Sequence, residues 1–161
     1  MEKTFPSWKD ELVAALPYLG HRNWVVVTDM AYPLQARSGI RTIYTDESYM
    51  DVLNFVHRAV EEAPHVKPLI YQDKELACVD ERDAGGVDAL RGQMAALLGN
   101  RVTPVPHEQL IARLDEVSHV FHVLILKTTL AIPYTSTFFE LDCAYWDGEK
   151  EQALQKKMSN K

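Results

Sequence analysis

Four places in the sequence set a polar side chain beside the end of an apolar run. His21 follows Leu19-Gly20 and precedes the run Asn23 to Thr28, and Asp29 closes that run. His107 opens a helical stretch after the short run Val102 to Val105, and Ile132-Pro133-Tyr134-Thr135-Ser136 forms a loop between the two final runs. These residue types suit proton transfer and hydroxyl recognition. An imidazole with an unperturbed pKa of about 6.5 gives or takes a proton near neutral pH, and tyrosine and serine hydroxyls both donate and accept. In an α/β sheet, ligands bind beyond the carboxyl ends of the strands. Each residue also has a plain structural reading: Asp29 as a turn cap, His107 as a helix-start neighbour, His21 as a solvated side chain, Tyr134 as loop packing.

The elements that would position these residues follow from hydrophobic spacing. Ser7 to Leu16 reads as a helix, with Ser7 and Asp10 at capping-box spacing and Trp8, Leu12, Val13 and Leu16 on one face. Pro17 ends or kinks it. Trp24 to Thr28 is apolar and β-branched throughout, as in a strand buried on both faces. Ile40 to Tyr44 is a short strand. Asp46 to Ala63 is a helix whose apolar face is Tyr49, Val52, Leu53, Val56 and Val60. Val66 to Tyr71 is a strand weakened by Pro68, and Gln72 to Gly86 reads as charged and irregular. Val87 to Leu98 is an amphipathic helix stopped by Gly99-Asn100. Val102 to Val105, Val120 to Leu126 and Thr137 to Leu141 read as strands, and His107 to Val117 as a helix.

Strands alternating with helices predict a three-layer α/β/α sandwich around a mostly parallel sheet. The connection Lys127 to Ser136 is too short for a parallel crossover. The last strand is therefore expected to run antiparallel to its predecessor or to lie elsewhere in the sheet. Residues 1–147 are expected to form one domain, and 148–161 a polar tail that is frayed or lightly helical.

Composition narrows the function. Apolar residues make up 47% and charged residues 25% of 161, with a formal net charge of −6. Lys156-Lys157 is the one basic cluster, which ranks nucleic acid low as a partner. Cys78 and Cys143 form no CxxC pair and are expected to be reduced, partly buried thiols. Met1 to Pro6 lacks the apolar core of a signal peptide, and no apolar run approaches the ~20 residues of a membrane helix. The expectation is a cytoplasmic protein with no membrane contact. There is no Gly-x-Gly-x-x-Gly, Walker or Gly-x-Ser-x-Gly sequence. His119 and His122 would point to opposite faces of a strand, so no metal site is expected.

The stretch from Leu19 to Pro33, with Leu19-Gly20-His21, an apolar strand and Asp29, resembles the corresponding segment of the ribose pyranase and fucose mutarotase family. Tyr49-Met50-Asp51-Val52-Leu53, His107-Glu108-Gln109-Leu110, Leu126-Lys127-Thr128 and Pro133-Tyr134 resemble further blocks of that family, in the same order, from about residue 8 to 142. The resemblance implies an isomerase that binds a small monosaccharide and interconverts its cyclic forms by acid–base catalysis, with no cofactor. It implies His107 as the principal proton-transfer residue, His21 and Asp29 as an orienting catalytic pair, and Tyr134, Ser136 and Lys127 as substrate-binding residues. It also implies a homo-oligomeric ring, often a decamer, with the tyrosine loop lent to a neighbour. This chain departs from the family pattern in carrying Ser136 for asparagine, Thr129-Leu130 for Gly-Glu and Met30 for alanine. A diverged sugar-binding or regulatory protein with little catalysis is the alternative.

Overall fold

The computed structural model describes residues 4–161. Its strands are β1 (Trp24–Thr28), β2 (Ile40–Tyr44), β3 (Val66–Asp73), β4 (Val102–Val105), β5 (Val123–Lys127) and β6 (Thr137–Cys143). Its helices are α1 (Trp8–Ala15), α2 (Tyr49–Glu62), α3 (Val87–Leu98), α4 (His107–Val117) and α5 (Gly148–Ser159). The strands form one sheet in the order β2-β5-β1-β6-β3-β4. Five strands share one direction, and β6 alone runs against them, paired to β1 on one side and β3 on the other. The last strand is thus antiparallel, and it lies beside β1 and β3, away from its sequence predecessor β5.

Helices cover both faces, as the alternation of elements predicts. On one face α1, α2 and α3 pack over Val25, Val27, Leu124, Leu126, Ile70 and Phe139. On the other, α4 sets Leu110 and Leu114 against Trp24, Val26, Val123, Ile125 and Phe138. Each strand splits its side chains between two apolar layers, which is why β1 and β5 read as continuous apolar runs. The α2 stripe Tyr49, Val52, Leu53, Val56 and Val60 is fully buried. Each such side chain contributes on the order of 1.5–3 kcal/mol, so this helix is a main tie between sequence pattern and core.

Several local features have identifiable causes. Ser7 and Asp10 form the reciprocal capping box at the start of α1. Val13 departs from the expected buried face: it is 56% exposed and borders an open groove between α1 and α2. Pro68 is tolerated in β3 because β4 pairing begins only at Ile70, leaving one edge of β3 free there. Gly39 enters β2 so close to the end of α4 that a Cβ would lie 2.2 Å from the Ser118 carbonyl oxygen. The strand expected from Val120 begins at Val123, since Val120 and Phe121 close a turn onto Val117. The C-terminal tail is a well-formed helix, α5, with no buried residue.

Candidate active site

The parallel strands end at one edge of the sheet, and β6 begins there. Threonine hydroxyls pin this edge: Thr128 donates to the Thr28 carbonyl at 2.7 Å and Thr45 to that of Lys127 at 2.8 Å. In the paired register Thr137 lies between Val27 of β1 and Gln72 of β3. Continuing one residue outward sets Ser136 between Thr28 and Asp73. Side chains alternate along strands, so Asp73 and Ser136 face the α4 layer, as Tyr71 and Phe138 do. The first residue of α4 is His107.

His107 and Asp73 meet there, with Nδ1 2.8 Å from Oδ1. The Asp73 side chain is fully buried and that of His107 is 22% exposed. The His107 backbone N–H donates to both Glu75 oxygens, at 3.0 and 3.1 Å. Glu75 thereby caps α4, whose N-cap position is Pro106 and offers no side-chain bond. The opposite Asp73 oxygen, Oδ2, is buried without a hydrogen-bond partner. The Ser136 backbone amide is near enough to favour the charged carboxylate but makes no bond of ordinary geometry with it.

These surroundings move the titration of three groups. Burial pushes the Asp73 carboxyl up, opposed by its hydrogen bond to His107. The same hydrogen bond pushes His107 up, against a smaller opposing effect of burial. Burial also raises Asp29, opposed by its own backbone amide and by the charges of His107 and Lys127. Raised carboxyls beside an imidazole are the arrangement that general acid–base chemistry uses.

The cleft over this pair is about 130 Å³ and is lined by Asp29, Tyr32, Asp73, His107, Tyr134 and Ser136, among others. Tyr32 and Tyr134 both present edge-to-face contacts to the imidazole, at 6.5 and 5.6 Å between centroids. Tyr134 adopts a left-handed backbone (φ 59°), a conformation that costs a non-glycine residue roughly 1–2 kcal/mol. The loop that holds it is fixed from below. Tyr49, at the start of α2, donates to the Thr135 carbonyl. Gln72 donates to the Thr137 hydroxyl at 3.0 Å, and Thr137 lies 2.6 Å from the Tyr49 oxygen. With both hydroxyl protons assigned, the chain runs Gln72, Thr137, Tyr49, Thr135 carbonyl. Ser136, on this clamped segment, is only 2% exposed.

The structure therefore brings Asp29, His107, Tyr134 and Ser136 together and adds Asp73. It does not bring His21 to them within one chain. His21 precedes β1 and Asp29 follows it, and five strand residues at ~3.3 Å each separate the two ends by roughly 16 Å. His21 instead lies exposed, 3.0 Å from Asp142. The carboxylate bonded to the imidazole in the cleft is that of Asp73, whereas the sequence pointed to the pair His21 and Asp29. Lys127 ends β5 and acts on Asp29 through its charge, outside the cleft lining. Among the described residues no group of three or more His, Cys, Asp or Glu side chains could hold a metal ion, and no helix is long and apolar enough to cross a membrane.

No family model matches the sequence, and no curated protein does. Solved structures match the fold. The structure of Bacillus subtilis RbsD complexed with D-ribose aligns with a TM-score of 0.57 at 14% identity, covering 87% of this chain and 97% of that one. The fucose mutarotase of Streptococcus pneumoniae in complex with L-fucose aligns at 0.55 and 15% identity, covering 82% and 91%. FucU from Bifidobacterium longum aligns at 0.56 and 13% identity, covering 82% and 92%. The chain shares the fold of these proteins over nearly their whole length.

Proposed function

We propose that this protein is a diverged relative of the ribose pyranases and fucose mutarotases, and that it binds a small monosaccharide in the cleft over His107 and interconverts its cyclic forms. The observation that carries the reading is the Asp73–His107 pair: Nδ1 is held by a buried carboxylate, which leaves Nε2 for a ligand. Opening a sugar hemiacetal removes the proton from the anomeric hydroxyl and delivers one to the ring oxygen as the ring C–O bond breaks. His107 Nε2 takes the first proton, and the adjacent Asp73 carboxylate stabilises the imidazolium that forms. Asp29, raised by burial, supplies the second proton. Closure reverses both transfers, with no other reactant. Tyr134 and Ser136 offer hydroxyls to the sugar, directly or through water. The two solved relatives carrying D-ribose and L-fucose support the substrate class. As in the family resemblance, the chain is expected to act as a homo-oligomer.

Exchange spectroscopy on a panel of aldoses tests the proposal. The protein should accelerate anomer exchange for at least one aldose, and His107→Ala should lower that acceleration by ~10²-fold or more while the fold persists. An unaccelerated panel, or a His107→Ala rate equal to that of the natural protein, removes the reading.

A further inference from the structure

His107 is gripped at two points by one short stretch of chain. Asp73, the last residue of β3, lies opposite Val105 of β4 in the sheet, which sets it beside the start of α4. Its carboxylate meets the ring at Nδ1. Two residues on, Glu75 accepts the backbone N–H of the same histidine on both oxygens, at 3.0 and 3.1 Å. Ring and backbone of one residue are thus fixed by side chains two positions apart.

The second grip has no substitute on α4 itself. Pro106 precedes His107 and offers no side-chain bond, so the first N–H of the helix depends on a partner from elsewhere. A carboxylate suits that end of a helix by its charge as well. The support of Glu75 is firm. It belongs to a short 3-10 helix, Lys74–Cys78, and its neighbour Leu76 is buried in the core. Arg91 of α3 donates through Nη1 to the Leu76 and Val79 carbonyls, at 2.9 and 2.7 Å, and through Nη2 to Asp88. Glu75 does not line the cleft over His107, so it reaches a bound ligand only through the histidine.

We propose that Glu75 is a positioning residue for His107: it fixes the backbone amide while Asp73 holds the ring, and the two together keep Nε2 aimed into the cleft. The bond to Asp73 alone leaves the ring free to pivot with the first turn of α4. With the backbone also held, the two side-chain torsions settle in one arrangement. The proposal rests on the acid–base reading of the cleft. Charge is a separate contribution: Asp73, Glu108 and Glu75 all push the His107 titration up, against burial.

Three variants separate position from charge. Glu75→Ala removes the grip and the charge, Glu75→Gln keeps an acceptor without the charge, and Glu75→Asp keeps the charge on a stem too short to reach. On an aldose that the natural protein accelerates, Glu75→Ala and Glu75→Asp should lower kcat by ~10-fold, since small misplacements of a reacting group are costly. KM should stay nearly constant, because Glu75 does not touch the sugar. Glu75→Gln should recover most of kcat, although its His107 ring signals titrate at lower pH. If Glu75→Ala does not fold, Glu75→Asp carries the comparison. A natural kcat in the folded Ala or Asp variant overturns the proposal. So does a loss in Glu75→Gln as large as in Glu75→Ala, which would assign the effect to charge. Hydrogen exchange at the His107 amide gives a readout that needs no sugar, and it should quicken by ~10-fold or more in Glu75→Ala or Glu75→Asp as the local bond opens. If no aldose is accelerated but this exchange quickens, the acid–base reading fails and the grip stands. Unchanged exchange overturns the grip itself.

Discussion

Asp73→Asn isolates what the buried carboxylate does for His107. The amide has the shape of the carboxylate and can still accept from Nδ1–H, but it carries no charge. A hydrogen bond to a charged partner contributes ~1.5–3 kcal/mol and a neutral one ~0.5–1.5. The difference, about 1–1.5 kcal/mol, is lost when the imidazole becomes cationic on taking the anomeric proton. That corresponds to roughly a tenfold slower exchange, since ~1.4 kcal/mol is a factor of ten in rate. The pH behaviour gives a second readout. The Asp73 hydrogen bond is the largest effect raising His107 above 6.5. The stability it adds is complete below 6.5 and disappears as pH rises through the raised value. Asp73 is itself raised above 3.8 by burial, so its ionisation also removes stability as pH climbs through its own raised value. In Asp73→Asn both slopes should flatten in a series of thermal melts against pH, and the His107 ring signals should titrate at lower pH. An unaltered His107 titration in the variant would refute the assigned role of the carboxylate, as would an unaltered exchange rate.

Other substitutions probe the supports of the cleft. Tyr49→Phe removes the hydroxyl between the Thr135 carbonyl and Thr137 and should cost ~1–3 kcal/mol of stability, read by denaturant unfolding, with weaker sugar binding as the Tyr134 loop loosens. Gly39→Ala drives a Cβ to 2.2 Å from the Ser118 carbonyl. A backbone shift costing ~1–3 kcal/mol should lower the melting temperature by ~2–4 °C per kcal/mol, without altering the His107 titration. Ser136→Asn restores the longer amide of the family at a buried cleft position; calorimetry should show tighter ribose or fucose binding, and weaker binding would mean that the serine hydroxyl already makes the better contact.

Much of this arrangement is legible in the sequence because it rests on local pattern. The α2 stripe, the doubly buried β1 run and the Ser7–Asp10 box each follow from side-chain period or capping chemistry, and each appears in the structure where the spacing sets it. The short connection after Lys127 likewise forces a reversed last strand. Asp73 escaped for a definable reason. It closes β3 as Asp29 closes β1, but Pro68 and the charged stretch after Gln72 mask the strand's final turn toward the edge. Treating every aspartate that ends an apolar run alike would have found it. The position of His21 is not local information at all. Its nearness to Asp29 in sequence spans a whole strand, and a strand carries its two ends apart. The helical character of α5 is similarly hidden, since its polar composition gives no core-facing stripe to read.

The placement of β6 has a consequence for how the chain comes to its native state. Strands β2, β5 and β1 form one ribbon and β3 and β4 another, and the two share no hydrogen bonds with each other except through β6. Residues 137–143 are the last of the sheet to be synthesised. Until they emerge, the inner edges of β1 and β3 have no strand to pair with, and unpaired edges of this kind invite aggregation. Asp29 and Asp73 belong to different ribbons, so insertion of the central strand joins the sheet and assembles the His107 cleft in one event. A stop anywhere before Thr137 leaves both edges unsealed, and the Tyr134 loop then has no strand to anchor it.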